Sequence, residues 1–86
     1  TFAFIDCYPN PFNAVATIYY GLPETGSVSL SVFNTLGQRV AILFEGAQQA
    51  GEHGITWDAS GFPSGVYFAR LEAGGQSENI KMVLLR

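Results

Sequence analysis

The sequence predicts an all-β chain folded as an antiparallel β-sandwich of about seven short strands. Three observations carry that expectation. In Ser27–Val32, the apolar Val28, Leu30 and Val32 alternate strictly with serines, the period-2 pattern of a strand with one buried and one wet face. Segments rich in β-branched and aromatic residues recur at spacings of about ten residues, separated by turn-forming residues. Ten glycines, four prolines, seven phenylalanines, four tyrosines and one tryptophan favour strands and tight turns over a helical bundle.

Each element follows from its own residues. Thr1–Asp6 forms a leading strand with Phe2, Phe4 and Asp6 on one side. Pro9 and Pro11 fix φ and restrict the residues before them, so Tyr8–Asn13 is expected as a rigid, extended entry. Val15–Tyr20 is β-branched and aromatic, and Gly21–Gly26 supplies the turn into Ser27–Val32. Asn34-Thr35-Leu36-Gly37 suits a hairpin turn needing positive φ. Arg39–Phe44 is the return strand, with a helix as its rival because Val40, Leu43, Phe44 and Ala47 fall at i, i+3, i+4 and i+7. Gly46 and Gly51 would leave that helix short and poorly capped, which favours the strand. His53–Trp57 is a short strand and Asp58–Gly65 a loop of punctuating residues. Gly65–Ala73, the turn Gly74-Gly75 and Gln76–Leu85 make a closing hairpin, with Ile80, Met82 and Leu84 on one face.

Length and charge bound the function. Eighty-six residues support a single domain, residues 1–86, and bury about 60–65% of the unfolded surface. Four basic residues (Arg39, Arg70, Lys81, Arg86) against seven acidic ones give net charge −3, which argues against a nucleic-acid partner. The lone Cys7 provides neither a disulfide framework nor a cysteine zinc site. Apolar runs such as Val40–Phe44 and Met82–Leu85 fall far below the ~18 residues of a membrane helix. The start at Thr1 without a charged leader reads as a piece of a longer polypeptide.

A search for chemistry finds little. Cys7, His53 and Asp58 match no nucleophile elbow or Cys–His signature, so no catalytic residue is expected. Cys7 reads as a small buried apolar side chain and His53 as a partly exposed strand residue. Asp6 and Asp58 lack Asp-x-Asp calcium spacing, and no metal or cofactor is expected. Asp58 is explained as a turn residue accepting backbone N–H bonds. Tyr19, Tyr20, Trp57, Tyr67 and Phe68 raise the alternative of a carbohydrate-binding module, though strand alternation commits about half of them to the core.

Five segments in order carry a resemblance. They are Tyr8-Pro9-Asn10-Pro11-Phe12-Asn13, Leu30–Asn34 with Gly37–Val40, Gly51–Asp58, Pro63–Phe68, and the closing Lys81-Met82-Val83-Leu84-Leu85-Arg86. Together they make the chain similar to the type A C-terminal sorting domain of the type IX secretion system. Ala14, Cys7 and Gln38 depart from the family's usual residues, and none lies in the closing segment. The resemblance implies an immunoglobulin-like sandwich of about seven strands at the C-terminus of a secreted Gram-negative protein. It also implies passage through the periplasm to the outer membrane and cell surface, or secretion. An outer-membrane translocon would read the domain, and a sortase-like protease would remove it and attach the N-terminal cargo to surface lipopolysaccharide. By the same carry-over, the partner-recognition candidates are Gly65, Tyr67, Lys81, Met82, Val83, Leu84, Leu85 and Arg86.

Physical reasoning adds three expectations. Gly65 allows a backbone conformation that a Cβ would oppose. The last strand offers an edge for β-augmentation by a partner, with Ile80, Met82 and Leu84 as core and Lys81 and Arg86 contributing edge charge. Exposed edges with sparse charge also admit a homodimer through strand edges. A plain structural spacer of the same fold is the remaining alternative.

Overall fold

A computed structural model of the chain describes residues 5–85. Seven strands follow in order: β1 (Ile5–Tyr8), β2 (Val15–Leu22), β3 (Gly26–Phe33), β4 (Arg39–Gln48), β5 (Gly51–Asp58), β6 (Gly65–Ala73) and β7 (Gln76–Leu84). The chain is all-β, with every strand pair antiparallel, and no helix occurs among the described residues. One sheet has the order β1-β2-β5 and the other β4-β3-β6-β7. This is an immunoglobulin-like sandwich in which the fourth strand has joined the sheet of the third, sixth and seventh.

Alternation places the core between the sheets. Ala16, Ile18, Tyr20 and Leu22 of β2 face Val28, Leu30 and Val32 of β3, together with Tyr67, Ala69 and Leu71 of β6. Met82 and Leu84 complete this core from β7, and Ile80 packs against it half-buried. Truncating one of the fully buried aliphatics to alanine would cost about 2–5 kcal/mol. Where β4 hands over to β5, the chain changes sheets. There the Tyr20 hydroxyl bonds the Gln48 side chain, and its ring stacks on His53 with centroids 5.5 Å apart.

Strands β2 and β5 pair two residues further than expected, through Gly21 and Leu22 of the expected turn and through Gly51 and Glu52, and three other elements differ more from the sequence expectation. The leading strand begins at Ile5 within the described residues, and it is Cys7 that faces the core while Asp6 is exposed. Phe2 and Phe4 lie outside the described residues. Tyr8–Asn13 bends instead of extending, with Tyr8-Pro9 and Asn10-Pro11 both cis. The chain must leave β1 in one sheet, touch the edge of β7 in the other, and return to β2. Strand β4 runs on to Gln48, four residues past the expected end. Its helix-like spacing comes from two register shifts against β3. Leu43 is the extra residue between the pairs Leu30↔Phe44 and Ser31↔Ile42, and Val40 the extra one between Val32↔Ala41 and Phe33↔Arg39. Each bulge resets the alternation.

Candidate functional site

Three of the sequence motifs converge on one end of the sandwich. Strand β6 begins at Gly65, and its first residues pair with the closing segment as Gly65↔Leu84, Val66↔Val83 and Tyr67↔Met82. On the opposite edge of β7 lies the bent Tyr8–Asn13 segment. The Asn10 side chain donates from Nδ2 to the Lys81 carbonyl at 2.8 Å and accepts at Oδ1 from the Val83 amide at 3.0 Å. The Phe12 amide donates to the Val83 carbonyl at 2.9 Å, and the Leu85 amide to the Phe12 carbonyl at 2.8 Å. Phe12 and Leu84 thus form a parallel bridge. The expected free edge of β7 is therefore shut from Lys81 to Leu85 by a strap from the same chain. It stays open only over the first half of the strand.

An aromatic cluster sits beneath this strap. The Trp57 ring lies 5.7 Å from Phe12, 5.3 Å from Phe62 and 5.4 Å from Tyr67, measured between centroids. The Tyr67 hydroxyl, four positions after Pro63, donates to its carbonyl at 2.7 Å. A tyrosine near the start of the sixth strand that bonds backbone upstream is the corner device of immunoglobulin-like folds. Gly65 has φ of +153° while an added Cβ would meet nothing within 4 Å, so its requirement is conformational rather than steric.

The candidate residues therefore separate by environment. Tyr67, Met82 and Leu84 are buried, Val83 is half-buried, and Gly65, Lys81 and Leu85 are exposed. Arg86 lies outside the described residues. Sequence reasoning assigned no contact to Asn10, the residue that grips the closing segment. The one available signal was an amide side chain held between two prolines.

Elsewhere the chemistry is sparse. Burial, with a smaller contribution from the Asp6 carboxylate, pushes the Cys7 thiol up to about 11. Burial likewise raises the Tyr20 phenol, opposed by its bond to Gln48. Asp58 accepts from the Ser60 amide at 3.0 Å, as a turn residue does. No group of three His, Cys, Asp or Glu side chains could hold a metal among the described residues. The aromatics that suggested sugar stacking are divided: Tyr20, Trp57 and Tyr67 are in the core, while Tyr19 and Phe68 face outward on different sheets.

A family model described as a secretion system C-terminal sorting domain matches residues 6–85. No curated protein matches the chain.

Proposed function

The chain belongs to the family of secretion system C-terminal sorting domains, and on that premise we propose how its folded surface is read. The domain is a sorting signal for type IX secretion, and an attached N-terminal cargo goes to the outer membrane or cell surface. In our reading an outer-membrane translocon engages the domain after periplasmic transit, and a sortase-like protease then separates it from its cargo. The recognised element is the closing segment Lys81–Arg86, with Gly65 and Tyr67 positioning it from the neighbouring strand.

One observation carries this reading. Asn10 and Phe12 hold the closing segment flat on the sheet edge, with Met82 and Leu84 turned into the core. Lys81, Val83 and Leu85 alternate to the other face, and their side chains make the contact. Strand addition at this stretch would have to displace the strap. Gly65 and Tyr67 position the segment from the β6 side and are not contact residues themselves. For a homodimer through strand edges, the outer edge of β5 is the better fit. The bulges distort β4, and the strap covers the end of β7.

The test is a reporter cargo carrying this domain in a type IX-competent host. Deleting Lys81–Arg86 also removes two core residues, so it is compared with the double variant Lys81→Glu/Leu85→Ser, which spares the core. Both are expected to leave the reporter in the periplasm. Unchanged surface display of the deletion would overturn the sorting role of the segment. Unchanged display of the double variant alone would overturn recognition by side chains.

A further inference from the structure

We propose that the outer face of the four-stranded sheet, beside the β3–β4 turn, is a docking surface for an acidic polypeptide segment that also carries apolar side chains. The register aligns Arg39, Phe33, Phe68 and Lys81 in one row across β4, β3, β6 and β7. In the next outward row Arg70 lies opposite Asn79. Its guanidinium sits 4.6 Å from the Phe33 ring centroid, and its Nε donates to Asn79 Oδ1 at 3.2 Å.

Charge sorts onto this face. Every cation among the described residues, Arg39, Arg70 and Lys81, projects from it, although the chain as a whole carries −3. Two acids, Glu45 and Glu72, share the face: they lie one row, about 7 Å, from Arg70 and two rows, about 13 Å, from the Arg39–Lys81 row, so the positive end of the face is the end beside the β3–β4 turn. The apolar content is equally local. Phe33 and Phe68 stay only half-buried on a face whose other β3 positions are serines. With Arg70 they line a depression of about 390 Å³ that reaches the turn residues Asn34, Thr35 and Gly37.

The turn holds one more apolar group at its rim. Asn34 Oδ1 accepts from the Leu36 amide at 2.9 Å and from the Gln38 amide at 3.0 Å, while its Nδ2 donates to Gln38 Oε1 at 2.8 Å. This fixed turn presents Leu36 at 81% exposure. Folding gains nothing from a leucine in that position; a partner would.

These features select the occupant. The guanidinium groups suit carboxylates by paired hydrogen bonds, and the rings and Leu36 suit aliphatic side chains between them. An anion without apolar groups would leave half of the surface unused.

The test titrates the ¹⁵N-labelled 86-residue chain with a capped peptide of about a dozen alternating Glu and Leu residues. Lys–Leu and Gln–Leu peptides of the same length serve as controls, and phosphatidylglycerol vesicles as a separate arm. Saturable shifts are expected at Phe33, Leu36, Phe68 and Arg70, weakening about tenfold or more as salt rises from about 50 to about 500 mM. Arg39→Glu and Leu36→Ser should each weaken binding about fivefold or more, with a dispersed amide spectrum confirming the fold. Equal binding of the Lys–Leu peptide, shifts confined to the other sheet, or binding to vesicles without binding to the Glu–Leu peptide would each overturn the proposal.

Discussion

The carboxamide oxygen of Asn10 accepts a hydrogen bond from the amide of Val83, 73 positions further along the chain, at 3.0 Å. Together with the bond from Asn10 Nδ2 to the Lys81 carbonyl, it stands in for a missing neighbour strand. One N–H and the oxygen of the Asn10 carboxamide act here as a peptide unit would, so this stretch of the β7 edge is satisfied without a further strand.

Asn10→Ala removes both bonds from a partly exposed edge and should cost about 1–2 kcal/mol. Urea denaturation measures the loss. Amide exchange should show Val83 losing protection, with the interior of β3 unchanged.

Tyr67 separates packing from hydrogen bonding. Tyr67→Phe deletes only the bond to the Pro63 carbonyl and should cost about 1 kcal/mol. Tyr67→Ala empties the space beside Trp57 and should cost about 3–5 kcal/mol. If Tyr67 positions the closing segment, export of a reporter follows these stability losses. Loss of export with Tyr67→Phe, at nearly unchanged stability, would instead make the hydroxyl a contact group.

Gly65→Ala meets no neighbouring atom, yet it forces an L-residue to φ of +153°. The expected cost is about 1–2 kcal/mol from backbone strain alone. A thermal melt of this variant beside Gly26→Ala, an exposed position in ordinary extended backbone, isolates the conformational contribution.

Cys7 gives the fold an alkaline limit. Burial raises its thiol from 9.0 to about 11, so the folded state holds the proton more tightly than the unfolded chain. The resulting stability is complete below about pH 9 and is lost as pH climbs toward 11, on the order of 1–2 kcal/mol after allowance for solvent screening. Cys7→Ala should flatten that part of the stability–pH curve. The remaining slope at higher pH belongs in part to Tyr20, whose phenol is raised in the same sense.

Much of this was legible in the residues, for stateable reasons. The serine-alternating β3 and the Gly74-Gly75 hairpin are local patterns, and each appears in the structure where its period and turn residues place it. Strand β4 was ambiguous because Val40 and Leu43, the bulge residues, shift the apolar pattern from period 2 toward that of a helix. A bulge depends on the partner strand, so the local pattern alone does not tell it from helical spacing. The closing segment was visible as a motif, but its strap was not, since Asn10 and Val83 meet only through the fold. The pairing of Pro63 with Tyr67 was closer to the surface of the sequence: a four-residue spacing into a strand is what a tyrosine corner requires.

The strap also sets how the domain responds to force. A cargo joined on the N-terminal side pulls first on the four residues of β1, then directly on Asn10 and Phe12. Those are the residues that close the β7 edge. Tension from the cargo would therefore peel back the cover over Lys81–Leu85 before it loads the β3–β6 centre of the sandwich. The connection to the cargo and the cover of the closing strand are in this sense one continuous segment.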